Sequence, residues 1–319
     1  MTHIYVLHEN EAWIAPLAAA LDHEGLPWRE WYLDQGAFDI SAPPPEGVFY
    51  SRLSASSHTR GHEDTVELAR AVIAWLERFG RRVVNGGHVP DLEVSKARQY
   101  AAMEALGIRV PRTVIVAGKA NLVDAARKYF PAQEFIVKPN CGGKGLGVML
   151  FQTPDSLAGH IDTPAYEAPI DGIHLMQEYI RSPERTITRA EFVGGKYMYA
   201  VRVDTSGGFE LCPADACAVG DAFCPTGEAA ARPKFEVIDD IDAGLKAAYE
   251  RLLAKHGIDV AGIEFIRDAQ GVVSTYDINT NTNYNSDAEQ KAGKSGMRTL
   301  AQFLGAELTR RYPIAKAAE

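Results

Sequence analysis

Hydrophobic and polar positions in residues 1–90 predict an alternation of strands and helices. Short apolar runs typical of strands cover His3–Leu7, Trp28–Leu33, Val48–Arg52 and Arg82–Asn85. Helical patterns cover Glu11–Gly25 and Glu63–Phe79, and the second carries one apolar stripe at Val66, Ala69, Ile73, Leu76 and Phe79. Because strands that alternate with helices pair in parallel, this region is expected to form a small parallel sheet covered by helices.

The rest of the chain is predicted to combine helices with antiparallel strands. Helices are expected at Ser95–Leu106, Leu122–Tyr129, Ile241–His256 and Thr299–Arg311. Strands are expected at Arg112–Val116, Glu134–Pro139 and Val148–Phe151. A second, antiparallel sheet is expected to contain Leu175–Ile180, Thr186–Val193, Lys196–Val203 and Phe209–Cys212. The overall prediction is an α/β fold with α+β lobes.

Composition narrows the class of protein. The chain has 319 residues, of which 46% are hydrophobic and 24% are charged, as in soluble proteins of two or three lobes. Its formal net charge of -9 argues against a general nucleic-acid binder. No apolar run approaches the roughly 20 residues of a membrane span, and the N-terminus reads as a strand rather than a signal peptide, so a cytoplasmic location is expected.

Three of the four cysteines lie close together, at Cys212, Cys217 and Cys224, and the fourth is Cys141. Their spacing matches no C-x₂-C zinc pattern, so free thiols are the favoured state. A metal or redox role remains the alternative.

A predicted hairpin collects oxygen ligands at one end. Its strands are Ala261–Arg267 and Val272–Asn279, and the residues between them are typical of a turn. If Arg267 pairs with Val272, Glu264 lies opposite Thr275 and Asp277 lies on the diagonal of the same face. Glu264, Asp277 and the Asn279 carbonyl then form a set that suits Mg²⁺. The alternative is a solvated strand face followed by a polar loop.

A glycine-rich loop follows the strand that ends in Lys138. The sequence FIVKPNCGGKGLGV places glycines at 142, 143, 145 and 147, where the backbone can approach a phosphate closely. A strand rather than a helix follows the loop, so it is neither a P-loop nor a dinucleotide fingerprint. Lys138 can reach a phosphate as a point charge. The alternative is a flexible hairpin.

Another polar loop, Ser51–His62, follows a predicted strand of the N-terminal sheet and contains Arg52, His58 and Arg60. Ligand sites in α/β units lie at the carboxyl ends of strands, so this loop is expected to anchor a substrate carboxylate, with Arg52 as the first candidate. A solvated loop that caps the Glu63 helix is the alternative.

Taken together, these motifs resemble the ATP-grasp superfamily. The features are a lysine strand, a glycine-rich flap, the acidic strand MQEYI at 176–180, an arginine on a later strand, and a final acid…acid-x-Asn set. Within the superfamily the chain is similar to the glutamate ligases that modify a ribosomal protein and to related carboxylate–amine ligases. The resemblance covers almost the whole chain, including Phe49–Arg52, Ser95-Lys96 and Tyr199–Arg202.

The resemblance implies three units: an N-terminal domain at 1–92, a central lobe at 93–178 and a C-terminal lobe at 179–319. ATP would bind between the two lobes, with its adenine at the hinge Glu178–Ile180. The implied ATP-binding residues are Lys96, Lys138, Gly142, Gly143, Lys144, Gly145, Gly147, Gln177, Glu178, Tyr179, Ile180 and Arg189.

The resemblance also implies an ADP-forming ligase that makes an amide through an acylphosphate. Lys138 and Arg202 would act in catalysis, and Glu264, Asp277 and Asn279 would hold two Mg²⁺ ions, for which Mn²⁺ is a substitute. The implied partners are small molecules or peptides that bear a carboxylate and an amine, bound by Arg52, His58, Arg60, Asn281 and Asn283. The sequence leaves open whether the chain forms a homo-oligomer.

Three positions depart from the family's pattern. Ile187 stands where the family has a ribose-binding Asp, Asp277 is shorter than the usual Glu, and Thr280–Asn283 replaces Ala/Ser-x-Pro-Gly. The last departure predicts a different acceptor. Two alternatives in function stay open: a small-molecule kinase on the same scaffold, and a nucleotide-binding protein with little turnover.

Overall fold

The N-terminal domain is a parallel sheet between helices in the computed structural model, which describes residues 2–207 and 233–313. Its elements are β1 (His3–His8), α1 (Glu11–His23), β2 (Trp28–Tyr32), β3 (Gly47–Ser51), α2 (Thr65–Arg78) and β4 (Arg82–Val84). All strand pairs are parallel, in the order β2-β1-β3-β4. Helix α2 buries the stripe that its sequence predicts, with Ala69, Ile73 and Leu76 against the sheet. The predicted α/β alternation is therefore confirmed.

Two helices lead from this domain into a four-stranded antiparallel sheet. They are α3 (Val89–Glu93) and α4 (Lys96–Glu104). The central sheet and its helices are β5 (Thr113–Ala117), α5 (Leu122–Tyr129), β6 (Phe135–Pro139), β7 (Met149–Phe151), α6 (Pro154–Ile161) and β8 (Ile173–Glu178). The strand order is β5-β8-β6-β7.

The expectation that Leu175–Ile180 belongs to the second sheet is wrong. Strand β8, which covers most of that segment, lies between β5 and β6 and pairs with both. Its buried residues Leu175, Met176 and Gln177 fit a central strand covered on both faces.

A five-stranded antiparallel sheet forms the C-terminal lobe. Its elements are β9 (Thr186–Val193), β10 (Lys196–Asp204), β11 (Phe235–Ile238), α7 (Ala243–His256), β12 (Val260–Arg267), β13 (Val273–Asn279), α8 (Ser286–Ala292) and α9 (Gly296–Arg311). The strand order is β11-β10-β9-β12-β13. The segment Phe209–Cys212 and the three clustered cysteines lie outside the described residues. The structure therefore does not test the metal or redox alternative for those cysteines. Cys141 is a buried free thiol.

The hairpin of β12 and β13 forms, but in a different register from the expected one. Arg267 pairs with Val273, and a bulge between Glu264 and Phe265 leaves Tyr276 as the extra residue. Glu264 therefore lies directly opposite Asp277 instead of on a diagonal. The bulge brings the two carboxylates closer together than a regular ladder would.

Helix α9 joins the C-terminal lobe back to the N-terminal domain. Leu300, Leu304 and Leu308 of α9 share one core with Leu17 and Leu21 of α1. Within the described ranges, none of the helices combines the length and the apolar character that a membrane span needs.

Asn85 fastens the N-terminal domain to the C-terminal sheet. Its amide nitrogen donates to the carbonyls of Val260 (2.8 Å) and Thr280 (2.9 Å), and its amide oxygen accepts from the backbone of Asp259 and Val260. The residue is 1% exposed and has a φ of 55°, a left-handed conformation that asparagine tolerates better than most residues. One side chain thus satisfies four buried backbone groups.

We expect Asn85→Ala to lower the free energy of unfolding by about 3 kcal/mol, because buried backbone groups lose their partners and alanine disfavours the left-handed region. Urea denaturation of the full chain measures this change. Asn85→Gly, which removes only the conformational penalty, should recover part of the loss. Asn121→Ala is the control, because the Asn121 amide makes one exposed contact with the Ala117 carbonyl. Equal urea midpoints for the Asn85 and Asn121 variants would contradict the stabilising role that we assign to the Asn85 hydrogen bonds.

Candidate active site

A cleft of about 720 Å³ lies between the central and C-terminal sheets and is closed at one end by the N-terminal domain. This volume is typical of a site for a cofactor-sized ligand. One part of its wall is apolar, with contributions from both sheets: Ile136, Val148, Leu150, Ile187 and Ile266. The hinge residues Gln177, Glu178, Tyr179 and Ile180 border the cleft as well. This part of the cleft can accept a flat, apolar ring against backbone groups.

The two hairpin carboxylates are each held by a cation. Lys96 Nζ lies 2.5 Å from Asp277 Oδ1, and Arg189 Nη1 lies 3.2 Å from Glu264 Oε1. The Asn279 amide also donates to Glu264, at 3.3 Å. Burial, with the nearby Asp277 charge, raises the pKa of Glu264. Burial opposes the charge on Lys96, but Asp277, Tyr100 and Glu264 together outweigh this effect and raise the lysine pKa to about 12.

These residues fit a divalent cation. Both carboxylates and Asn279 line the cleft, and the positions of Lys96 and Arg189 show that the acids already attract positive charge. Among the described residues there is no cluster of three or more His, Cys, Asp or Glu side chains suited to a metal. Two carboxylates and an amide oxygen instead match Mg²⁺, which keeps several waters and binds through few protein ligands.

Arg189 is positioned by a glycine and a second buried acid. Its guanidinium packs over Gly262, where a Cβ would lie 2.4 Å from Arg189 Nε. Arg189 Nε donates to Glu191 Oε1 at 2.7 Å, while Nη2 is buried without a hydrogen-bond partner in the described structure. Burial raises the pKa of Glu191 to about 7, although Arg189 opposes the shift. Arg189 Nη2 can therefore donate a hydrogen bond to a ligand in the cleft.

Lys138 lies at the end of β6 in an unusual environment for a lysine. Its ammonium nitrogen donates to the Tyr100 hydroxyl at 2.7 Å and lies near the rings of Tyr100 and Tyr276. Gln177 donates to the same hydroxyl at 3.1 Å. Burial, and then the Lys96 charge, lower the pKa of Lys138 to about 7. Lys138 is therefore largely neutral at slightly alkaline pH.

The glycine-rich loop folds over the cleft toward the N-terminal domain. Gly145 and Gly147 have positive φ values of 76° and 71°, a conformation that favours glycine. Lys144 between the glycines also has a positive φ, of 60°. A Cβ on Gly143 would contact Ser56 at 3.6 Å, and Lys144 Nζ lies 4.7 Å from the centre of the Trp13 ring. The expected glycine residues 142, 143, 145 and the side chain of Lys144 line the cleft. Gly147 lies against Pro139 just behind them.

The structure brings Arg52 together with the loop Thr280–Asn283, called the asparagine loop below. It places the Arg52 guanidinium in the interior of the protein. The side chain is 1% exposed and does not line the cleft. Its Nη2 donates to Asn283 Oδ1 at 2.7 Å and to the Thr282 carbonyl, and Asn281 donates to the Arg52 carbonyl. Arg52 Nε and Nη1 are buried without a hydrogen-bond partner among the described residues, so the expectation that Arg52 anchors a substrate carboxylate stays a prediction. Asn281 and Asn283 do line the cleft.

Two further expected substrate residues lie behind the cleft wall. Arg60 donates to Glu9 (2.5 Å) and to Ser56 (3.0 Å), and it packs over the Trp13 ring at 4.9 Å. His58 belongs to the short 3₁₀ turn of the same loop and does not line the cleft. Arg60 thus acts on the cleft through Ser56 and Trp13, which do line it.

The expected catalytic role of Arg202 is not supported, because its side chain lies on the wrong face of the sheet. Arg202 pairs with Thr188, whereas Arg189 pairs with Val201, so the two arginines point to opposite sides. Arg202 forms an exposed ion pair with Glu236 and borders a separate, smaller cavity. Of these two arginines, Arg189 is the one that lines the main cleft.

Several residues of the cleft were not expected from the sequence: Trp13, Ser54, Ser56, Glu93, Tyr100, Tyr276, Arg185 and Ser206. Glu93 accepts from the backbone and hydroxyl of Thr280 and so joins helix α3 to the asparagine loop. The sequence signal that could have found Trp13 is its place, one turn after the carboxyl end of β1, where ligand sites of parallel sheets lie. Tyr100 and Tyr276 carried no such signal.

Solved structures share this architecture over nearly the full chain. The ATP-grasp ligase PsnB complexed with a minimal precursor is 17% identical, with a TM-score of 0.66, and the match covers 96% of this chain and 99% of that chain. D-cycloserine synthetase DcsG is 21% identical, with a TM-score of 0.64 and the same coverage. A RimK domain protein ATP-grasp from Sphaerobacter thermophilus is 15% identical, with a TM-score of 0.66 and coverage of 95% and 99%.

The chain therefore has the ATP-grasp fold, as its motifs predict. No family profile and no curated protein sequence matches it. Identities of 14–21% to the structures establish the fold, and the chemistry must be argued from the site.

The low pKa of Lys138 predicts that nucleotide binding takes up a proton. A bound triphosphate favours the charged lysine, so uptake should be small below about pH 7 and approach about one proton per nucleotide near pH 8. The apparent affinity should fall correspondingly as the pH rises above about 7. Calorimetry with a non-hydrolysable ATP analogue in buffers of different ionisation enthalpy measures the uptake. Lys138→Met should bind without this uptake, and an unchanged proton count in that variant would contradict the assignment.

Proposed function

We propose that the protein is an ATP-dependent carboxylate–amine ligase, which forms an amide bond through an acylphosphate and releases ADP and phosphate. The observation that carries the proposal is the arrangement of Glu264, Asp277 and Asn279 opposite Lys96, Lys138 and Arg189 within one cleft. Carboxylates for a divalent cation and cations for phosphate face the same volume, as phosphoryl transfer requires.

The cleft suggests an orientation for ATP. The apolar wall and the hinge Glu178–Ile180 suit the adenine ring, and Lys96 and Lys138 suit the phosphates. Glu264, Asp277 and Asn279 would hold Mg²⁺, which would neutralise charge on the β- and γ-phosphates when bound. Two Mg²⁺ ions, and Mn²⁺ as a substitute, are part of the proposal. Ile187 stands where the family resemblance implies a ribose-binding carboxylate, and Arg185, Thr205 and Ser206 also border the cleft.

The chain's own residues position the reactants and exclude water. Arg189 Nη2 has no hydrogen-bond partner among the described residues and the side chain is fixed by Glu191, so we assign to it the contact with the transferred phosphoryl group that the family resemblance implies for Arg202. A substrate carboxylate would attack the γ-phosphorus, and an amine would then displace phosphate from the acylphosphate. The glycine-rich loop, which reaches Ser56 and Trp13, would keep water from the acylphosphate.

The units 1–92, 93–178 and 179–319 remain our proposed division of the chain, with the hinge directly after β8. PsnB and a Chryseobacterium gregarium RiPP-associated ATP-grasp ligase are described in complexes with precursor or leader and core peptides, and DcsG as a D-cycloserine synthetase. We accordingly propose an amino acid or a peptide as substrate. The absence of nucleic-acid and membrane partners and a cytoplasmic location remain predictions from the sequence.

The test is a screen for ADP and phosphate release over pairs of carboxylic acids and amines, with the products identified by mass spectrometry. A ligase should release phosphate only when both an acid and an amine are present and should yield their amide. A kinase on the same scaffold would release ADP and accumulate a phosphorylated product without an amine. A protein that binds ATP and releases no ADP with any pair would contradict the proposal.

We expect Glu264→Gln and Asp277→Asn each to reduce ADP formation by at least about 100-fold, because the site loses half of the carboxylate charge that holds the divalent cation. Single-turnover ADP release at saturating Mg²⁺ measures the effect. The fold should persist, since removing one acid also relieves the repulsion between the pair. Turnover close to that of the unsubstituted protein in either variant would rule out this metal site.

The two arginines on β9 and β10 form a matched pair of positions. Arg189→Lys should lower kcat by about 10- to 100-fold, because an ammonium cannot contact Glu191, Glu264 and a phosphoryl oxygen in one plane. Arg202→Lys should leave kcat within about twofold, since that side chain faces away from the cleft. Steady-state kinetics of both variants decide the assignment. A larger loss in Arg202→Lys than in Arg189→Lys would return the phosphate contact to Arg202.

A further inference from the structure

The end of the cleft that the N-terminal domain closes carries an excess of positive charge. Lys144 of the glycine-rich loop and Arg60 of the Ser51–His62 loop both pack over the Trp13 ring, at 4.7 and 4.9 Å. The charge of Arg60 is matched by Glu9 at 2.5 Å. Lys144 has neither a hydrogen bond nor a carboxylate partner among the described residues. Burial, and then the Arg60 charge, lower the pKa of Lys144.

Two buried hydroxyl groups complete this end of the cleft. Ser54 and Ser56 line it, are 5% and 2% exposed, and have their oxygens 3.0 Å apart. Ser56 also accepts a hydrogen bond from Arg60. Two hydroxyl groups have two protons, and their mutual hydrogen bond uses one of them, so one proton is left for a ligand. The nearest acid of the wall, Glu93, already accepts hydrogen bonds from Thr280.

We infer that Lys144, Ser54, Ser56 and the indole of Trp13 form a subsite for a carboxylate that does not react. This inference rests on the proposed ligase function for its place in the reaction. An unpaired ammonium and a spare hydroxyl proton are donors that an anion satisfies, and Trp13 provides an apolar surface for the adjoining carbon atoms. The carboxylate can belong to either substrate: to the amine, as the α-carboxylate of an amino acid, or to the acid, as a second carboxylate.

The inference removes Lys144 from the ATP-binding residues that the family resemblance implies, and so separates it from the phosphate lysines. The side chain extends from the loop toward Trp13 of the N-terminal domain, whereas Lys138 lies between Tyr100 and Tyr276 in the central sheet. Loss of the Lys144 charge should therefore weaken substrate binding and leave nucleotide binding unchanged. Lys119 is a matched control, because it packs over the Tyr166 ring at 5.1 Å and does not line the cleft.

The binding experiment uses the full chain saturated with a non-hydrolysable ATP analogue and Mg²⁺. Calorimetry compares L-glutamate, L-aspartate and glycylglycine with the corresponding compounds in which one carboxylate is an amide. We expect at least one carboxylate to bind about 10- to 100-fold more tightly than its amide. Lys144→Met should abolish that preference, and Lys119→Met should retain it, with equal affinity of all three proteins for the ATP analogue.

Two results would overturn the inference. One is that Lys144→Met and the unsubstituted protein bind every carboxylate and amide of the panel alike. The other is that Lys144→Met loses affinity for the ATP analogue by the same factor as for the carboxylates. The experiment needs no turnover, so a carboxylate preference that depends on Lys144, without ADP release for any pair, would support the subsite and contradict the ligase.

The two sources of the carboxylate are separated with a pair of substrates that turns over. One series replaces the α-carboxylate of the amine by an amide, and the other replaces the second carboxylate of the acid. The change that raises KM by the same factor as Lys144→Met, and that has no further effect in Lys144→Met, identifies the carboxylate bound there. If both changes remain fully additive with Lys144→Met, the inference is wrong.

Discussion

The repulsion between Glu264 and Asp277 is the constraint around which the cleft is organised. The bulge at Tyr276 places these two carboxylates directly opposite each other. Such a pair is stable in a buried position only if cations compensate it. Lys96 and Arg189 do so from two different elements, the first turn of α4 and the middle of β9. In the proposed reaction a divalent cation would take over this compensation, which would release both basic side chains for contacts with phosphate.

The same electrostatics explain why two lysines of one cleft have opposite pKa shifts. Both are buried, which disfavours their charge. Lys96 has Asp277 at hydrogen-bonding distance, and this contact, together with the nearby Tyr100 and Glu264, exceeds the effect of burial on the lysine pKa. Lys138 has only a neutral hydroxyl and two aromatic rings, and it also experiences the charge of Lys96. The cleft thus contains one lysine whose pKa is raised and one whose pKa is lowered.

Most strands and helices of the fold could be predicted from periodicity, because amphipathic segments such as α2 and the hairpin strands bury one face. The face of a sheet on which each side chain lies could not be predicted as reliably. Arg202 was expected in the cleft, but its pairing with β9 directs the side chain away from the cleft. A shift of one residue along a strand moves a side chain to the opposite face of the sheet. Likewise β8 could not be assigned to a sheet, because its partners β5 and β6 are distant in sequence.

Every second residue after Asp277 is an asparagine, at Asn279, Asn281, Asn283 and Asn285, and this spacing predicts polar contacts at a strand end. Asn279 contacts Glu264, but Asn281 and Asn283 make hydrogen bonds with Arg52, and Asn285 caps α8 through the Ala288 backbone N–H at 2.9 Å. Each amide satisfies a different structural need that depends on a tertiary partner. The spacing of two residues therefore indicates polar contacts at a strand end. It does not show which of these amides contact other protein groups and which are left for a ligand.

These contacts have a consequence for how the site can change. The carboxylate pair and the phosphate cations belong to helix α4 and to the central and C-terminal sheets, whereas Trp13, Ser54 and Ser56 belong to the N-terminal domain. The two groups are coupled through the asparagine loop, by Glu93 to Thr280 and by Arg52 to Asn281 and Asn283, and through the contacts of Asn85 with Val260 and Thr280. As long as those hydrogen bonds remain, substitutions in the N-terminal loop can alter the substrate end without disturbing Glu264 and Asp277. The architecture therefore allows one phosphoryl-transfer site to serve different substrates, with the choice made by residues that contact neither ATP nor metal.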